Sequence, residues 1–285
     1  MRFVKLHGSG NDFIVFDNRE GEVYQFIKSI NISLRDFVVK VCTPHTGVGA
    51  DGVILIEHPD DPQNDFKWQF FNSDGSVAGM CGNGSRCAVR FAYENGIAGE
   101  YVHFETLVGV IQAQVLEEGR RVKVLLTEPH SYREMRIKVN GAEISGSFIN
   151  TGVPHFVVFV DDLENFDVFT YGRAIRFHEA FFPGGTNVNF VKTLSDGSIS
   201  VRTYERGVEN ETLACGTGAT ASALIAYKKG FVKQKPVEVK TRGGEMLRID
   251  FDHELKEVFL EGSVYKVFDG FLYKEALFID PDHNT

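Results

Sequence analysis

Cys81-Gly-Asn-Gly-Ser-Arg-Cys-Ala-Val-Arg-Phe-Ala-Tyr-Glu-Asn-Gly96 and Cys215-Gly-Thr-Gly-Ala-Thr-Ala-Ser-Ala-Leu-Ile-Ala-Tyr-Lys-Lys-Gly230 can be laid over one another without a gap, and six of the sixteen positions are identical. Both stretches open with Cys-Gly-x-Gly, carry an Ala-Tyr pair and close on a glycine suited to a left-handed helix C-cap. Each predicts a helix, over Gly82–Asn95 and Gly216–Lys229, and each is followed by a strand-like segment, Tyr101–Glu105 and Val237–Lys240. A weaker echo precedes them, Phe13-Ile-Val-Phe16 against Phe156-Val-Val-Phe159. A solenoid needs at least three repeats, so a single duplication reads as two homologous domains. The competing reading is that glycine-rich helix starts recur by chance.

Around these stretches the apolar segments are short, rich in β-branched and aromatic residues, and bounded by Gly, Asn or Asp. Met1–Gly10, Asp12–Asp17, Asp51–Glu57, Phe66–Phe71, Val108–Val115, His155–Val160, Val188–Lys192 and Glu257–Leu260 read as strands. Leu34–Cys42, after a Ser33 cap, and Tyr171–Phe181 add two further helices. The fold class is α+β with much antiparallel sheet. We place the domains at 1–119 and 120–262, with a C-terminal strand over 263–276 returning to the first.

The 285 residues include 43% hydrophobic and 24% charged side chains, which is globular composition. Thirty basic against thirty-nine acidic residues leave −9, with no Lys/Arg-dense run to neutralise a phosphate backbone, so nucleic acid is not an expected partner. No apolar stretch approaches the roughly 20 residues of a membrane helix, and the first ten residues lack a signal-peptide core; a cytoplasmic protein is expected. Four scattered cysteines, Cys42, Cys81, Cys87 and Cys215, do not form a disulfide framework. Cys42 with His45 lacks a second ligand pair for structural zinc, so no metal is expected. Cys42 and Cys87 read as buried core thiols, and Arg86 as a helix-surface or interface residue.

Cys81 and Cys215 stand just before helices, where unsatisfied backbone N–H groups and the positive end of the helix dipole concentrate. That setting favours a thiolate, and the same N–H groups can cradle a carboxylate. Two such ends, acting on one α-carbon from opposite sides, suit stereoinversion: one thiolate removes the α-proton and the opposite thiol returns one to the other face. No fingerprint of a P-loop, a Rossmann site or a pyridoxal phosphate site is recognisable, and no cofactor is expected.

The motifs Cys81–Cys87 and Glu205-Arg-Gly-Val-Glu-Asn-Glu-Thr-Leu-Ala-Cys-Gly-Thr-Gly-Ala219 resemble those of the diaminopimelate epimerases. Lys5-Leu-His-Gly-Ser-Gly-Asn-Asp-Phe13, Gly47-Val-Gly-Ala-Asp51, Phe71-Asn-Ser-Asp-Gly75 and Pro154-His155 follow the family's order over nearly the whole chain. The resemblance implies two pseudo-symmetric domains, each a mostly antiparallel sheet curled around a central helix, with the active site in the cleft between them. It implies conversion of LL- to meso-diaminopimelate without pyridoxal phosphate, Cys81 and Cys215 being the acid/base pair. Gly82, Asn83, Gly216 and Thr217 would hold the reacting carboxylate. Asn11, Asn72, Asn187 and Arg206 would contact substrate, largely at its distal end, while His155 and Glu205 would lie beside the thiols. A homodimer is expected by the same analogy. The chain departs from the family pattern at Val153, Gly52 and Asn210, where many or some members carry Asn, Gln and Gly.

Two other readings stay open. A proline racemase or hydroxyproline epimerase shares the two-cysteine logic, although its first motif usually has His after Cys-Gly. A non-catalytic protein could capture an amino-acid carboxylate between two helix ends, and would have no need of both thiols.

Overall fold

The structure, a computed structural model, describes residues 1–278. The described residues divide into two compact units, 1–124 together with 263–278, and Leu125–Gly262.

The first unit contains β1 (Arg2–Gly8), β2 (Asn11–Asp17), α1 (Glu22–Ser29), α2 (Leu34–Cys42), β3 (Gly52–Glu57), β4 (Phe66–Asn72), β5 (Val77–Ala78), α3 (Gly82–Glu94), β6 (Tyr101–Thr106), β7 (Gly109–Leu116) and β8 (Arg121–Leu125, its last residue in the second unit). The second contains β9 (His130–Val139), β10 (Ala142–Asn150), β11 (Pro154–Phe159), α4 (Val168–Arg176), β12 (Asn187–Thr193), β13 (Ile199–Glu205), β14 (Asn210–Thr212), α5 (Gly216–Lys228), β15 (Val237–Lys240), β16 (Met246–Phe251) and β17 (Val258–Ser263, its last residue in the first unit). The last strand, β18 (Tyr265–Phe271), pairs antiparallel with β1.

Each unit builds the same sheet. In the first the order is β18-β1-β2-β3-β4-β6-β7-β8, antiparallel except that β2 runs parallel to β3 and β4 to β6. In the second it is β9-β10-β11-β12-β13-β15-β16-β17, again antiparallel except for β11 with β12 and β13 with β15. The short strands β5 and β14 pair with β4 and β13 just before the two long helices.

Alternation along the strands sets two layers in each unit. Ile14, Phe16, Val53 and Leu55 form a core with Phe37, Val38 and Val41 of α2 and Val23 and Ile27 of α1. Phe156, Val158, Val188 and Phe190 do the same with Val168 and Ile175 of α4. The long helices are buried: α3 contacts β1, β2, β3, β4 and β7, and α5 contacts β10–β13, β15 and β16. Buried residues run through α5 from Gly218 to Ala226, and small side chains on most of its turns permit that all-round packing.

The capping chemistry explains where the helices begin. Ser33 Oγ accepts from Asp36 N at 3.0 Å and starts α2 where the sequence indicates. The helix expected over Tyr171–Phe181 instead spans Val168–Arg176, and Glu179–Phe181 forms a separate 3₁₀ turn. Asp167 is its N-cap, accepting from Thr170 N at 3.0 Å, and Phe166 staples onto Tyr171 with ring centroids 5.2 Å apart. The helix α1 was not foreseen; it has only Val23 and Ile27 as buried anchors and starts from Gly21 at φ 68°.

The echo between β2 and β11 is out by one residue. Phe13 lies opposite Gly52 and Ile54 falls beneath Gly84 of α3, whereas His155 lies opposite Asn187 and Asn189 falls beneath Gly218 of α5. Phe13 therefore corresponds to His155, not to Phe156, and Val153 to Asn11. In a strand such a slip exchanges the two faces, and the packing agrees: Ile14 and Phe156 both lie in the outer cores.

Candidate active site

Each unit presents a cysteine at the N-cap of its buried helix. Cys81 has extended backbone, φ −150° and ψ 118°, and its Sγ accepts from Gly84 N at 3.4 Å. The amides of Gly82 and Asn83, one and two residues into α3, have no acceptor within their own helix. Asn11 reaches this helix start from β2, its Oδ1 lying 3.7 Å from Cys81 Sγ and accepting from Asn83 Nδ2 at 3.4 Å. Asn11 Nδ2 donates to Asp51 Oδ2 at 2.7 Å, which ties the loop before β3 to the same place.

Arg86 is a correction to the sequence reading: it is fully buried. Its guanidinium donates to Ser9 Oγ at 2.9 Å, Asn83 Oδ1 at 3.0 Å and Gly82 O at 3.4 Å, joining the Gly8–Gly10 turn to the first turn of α3. Asn72, exposed at the end of β4, lies opposite Gly52 and donates to Ser76 Oγ at 2.9 Å. The thiols of Cys42 and Cys87 are buried, and burial pushes Cys42 up to about 12 and Cys87 higher still, so both are inert protonated core thiols as expected.

In the second unit Cys215, φ −122° and ψ 111°, caps α5, and its Sγ lies 3.5 Å from Thr217 Oγ1. Thr217 O accepts from Thr151 Oγ1 at 3.1 Å, so the loop carrying Val153 is fastened to the helix start. His155 and Asn189 are wholly buried, and Asn189 Nδ2 lies 3.0 Å from His155 Nδ1 while Asn189 Oδ1 accepts from Thr203 Oγ1 at 2.9 Å. Burial, with the Arg206 cation adding to it, drives His155 down to about 3, so its ring is neutral at ordinary pH.

Asn187 binds three segments together: Nδ2 donates to Pro154 O at 3.0 Å and Oδ1 accepts from Arg206 N at 2.8 Å. The Glu205 carboxylate is raised by burial, partly offset by the Thr212 hydroxyl that donates to Oε2 at 2.9 Å. Arg206 donates to Gly184 O at 3.3 Å.

Sequence reasoning missed Asp51, Asn189, Thr203 and Thr212. Asn189 had a readable signal, since it shares a face with Asn187 between the apolar Val188 and Phe190. Of the departures, Gly52 follows from packing, for a Cβ there would stand 2.5 Å from Phe71 O and 2.9 Å from the Phe70 ring. Asn210 needs no glycine conformation; the left-handed residues of that turn are Gly207 and Glu209.

The fold is shared with solved structures of low sequence identity. It matches a phenazine biosynthesis protein of the PhzF family from Bacillus anthracis, with TM-score 0.67 and 14% identity over 95% of this chain and 98% of the other. It also matches a hydroxyproline epimerase from Agrobacterium vitis, with TM-score 0.65 and 17% identity over 95% and 91%. The sequence narrows the class. The family model for diaminopimelate epimerase matches residues 3–131 and 147–267. Diaminopimelate epimerases from Aquifex aeolicus and Hydrogenobaculum are 65% and 52% identical, each alignment covering at least 96% of this chain and 99% of the relative. This chain belongs to the diaminopimelate epimerase family.

Proposed function

We infer that the protein is an isomerase that epimerises LL-2,6-diaminopimelate to the meso isomer, a step that serves lysine biosynthesis. The observation that carries this reading is the repeated Cys-capped helix start, set on a duplicated topology in a chain 65% identical to a diaminopimelate epimerase.

The reaction requires Cys81 and Cys215 to address opposite faces of one α-carbon. In one direction the thiolate of one cysteine takes the α-proton, leaving a carbanion conjugated with the carboxylate. The thiol of the other then delivers its proton to the opposite face, so the two sulfurs end with exchanged protonation states. Gly82, Asn83, Gly216 and Thr217 supply the helix-end amides that hold the α-carboxylate and stabilise the developing charge, so no cofactor is called on. Asn11, Asn72, Asn187 and Arg206 bind the substrate's remaining polar groups, the Arg206 guanidinium suiting a carboxylate. His155 and Glu205 adjust the ionic environment of the thiols. We propose action in the cytoplasm, where thiols stay reduced. A homodimer is proposed as well, consistent with the exposed apolar side chains Tyr265, Val267 and Phe271 of β18. No helix among the described residues is long and apolar enough to cross a membrane.

The test is incubation of the reduced protein with LL-diaminopimelate in D2O, without pyridoxal phosphate, followed by NMR. Deuterium should enter the α-position as the meso isomer appears. Cys81→Ala and Cys215→Ala should each lower inversion by about 10²–10⁴-fold. Exchange in L-proline or L-hydroxyproline instead would replace the substrate, and undiminished function in both variants would favour a binding protein.

A further inference from the structure

Beneath the first turn of α5 lies a buried polar chain to which the proposed reaction assigns no part beyond His155. Thr203, Asn189 and His155 come from three adjacent strands, β13, β12 and β11, and their side chains are linked in series: hydroxyl to amide at 2.9 Å and amide to imidazole at 3.0 Å. Asn189 and His155 are completely buried and Thr203 nearly so. Among the described residues, His155 Nε2 has no hydrogen-bond partner. The chain also abuts the catalytic helix, because a Cβ added at Gly218 would stand 2.3 Å from Asn189 Oδ1 and 3.3 Å from Cys215 Cβ.

Two amide orientations are chemically conceivable for Asn189, and they give His155 opposite tautomers. Two features select one. With Oδ1 toward Thr203, the buried hydroxyl donates its proton to the amide oxygen; with the amide turned over, Thr203 would accept from Nδ2 and its own hydroxyl proton would need another acceptor. The amide atom facing Gly218 is also best an oxygen, which receives a Cα–H hydrogen favourably where an NH2 group would oppose it. Nδ2 then donates to His155 Nδ1, and the ring's only proton must sit on Nε2.

We propose that Asn189, braced by Thr203, is a positioning residue that locks His155 as the Nε2–H tautomer, so that the ring serves the site as a neutral hydrogen-bond donor to an anion and not as a proton-accepting base. Such a donor stabilises a thiolate or carboxylate without adding a full charge, and it consumes no proton during turnover. Asn189 touches no reacting atom in this scheme and acts through the imidazole. The proposal rests on the reading of His155 as part of the active site.

Long-range 1H–15N spectra of the protein labelled with 15N-histidine test it directly. The His155 signal is identified by its absence in His155→Gln. The expected spectrum shows Nδ1 as the unprotonated, pyridine-like nitrogen and Nε2 as the protonated one; the reverse assignment in the wild-type protein overturns the proposal. Asn189→Asp supplies the second arm, since a carboxylate accepts from Nδ1–H. The tautomer should reverse, and kcat should fall on the order of a hundredfold with KM much less affected. A variant that changes thermal stability alone, with the tautomer reversed and kcat unaltered, would sink the catalytic part. The tautomer is read without substrate, so failure to turn over diaminopimelate would strike the proposed function and leave the assignment of His155 standing on its own result.

Discussion

The seats beneath the two buried helices occupy the same places in the same topology and are made of opposite materials. Under α3, the adjacent strands β2, β3 and β4 contribute Phe13, Ile54 and Phe70, the two rings meeting edge to face with centroids 5.6 Å apart. Under α5, the corresponding strands contribute His155, Asn189 and Thr203, joined by hydrogen bonds. The first seat gains from dispersion and removal of apolar surface from water. The second must satisfy each buried polar group or lose stability, which makes it costly to build and sensitive to its surroundings. One half of the duplicated fold holds its cysteine on an inert support, and the other on a support with chemistry of its own.

The contrast implies that acid acts on the second seat in a way that the first cannot share. His155 lies near 3 in the folded chain against 6.5 for an ordinary histidine, so between those values the unfolded chain binds the extra proton. The histidine's contribution to stability is therefore fully present above about 6.5 and is lost as pH falls toward 3, with a slope of up to about 1.4 kcal/mol per pH unit. His155→Phe, which writes the residue type of Phe13 into the second seat, should flatten that portion of the stability-against-pH curve measured by urea denaturation. An unchanged slope would mean that His155 is not neutral and buried.

A smaller effect separates the two inner glycines. Gly218→Ala would drive a methyl into the Asn189 carboxamide at 2.3 Å, and should destabilise by about 1–3 kcal/mol. Gly84→Ala meets Cys81 Cβ, Ile54 and Phe13 only at 3.4–3.5 Å, which is ordinary contact, and should be nearly neutral. Equal melting temperatures for the two variants would break the comparison. The far ends of the helices should show no contrast at all. Gly96 and Gly230, at φ 66° and 74° in open surroundings, should each cost about 1 kcal/mol when changed to Ala, by strain in the left-handed region alone.

Much of this was legible in the sequence because it rests on local rules. The Cys-Gly-x-Gly starts, the Ser33 cap and the closing glycines carry their structural meaning within a few residues, and α2 has the bounds read for it. The start of α4 was legible too, in Phe166-Asp167, but the apolar pattern drew attention further along. What could not be read locally was register. Phe13-Ile-Val-Phe16 matches Phe156-Val-Val-Phe159 by eye, yet which of two alternating faces meets the buried helix is settled only by partners in other strands. The one-residue slip concealed the correspondence of Phe13 with His155, and with it the polar seat. Arg86 was misjudged for a similar reason: Asn83 lies one turn away on its own helix, but Ser9 reaches it only after the turn following β1 packs on α3.

The pairing of β1 with β18 has a consequence for how the chain is made. The Met1 ammonium donates to Leu272 O at 2.9 Å, and β1 finds its outer neighbour, β18, only after the whole second unit has been made. At ordinary rates of translation that is a wait of roughly 15–50 s. The second unit, one uninterrupted stretch from Leu125 to Gly262, emerges complete while β1, already beside β2 in sequence, still lacks β18. The unit whose synthesis starts earlier therefore completes its sheet only after the other has been made.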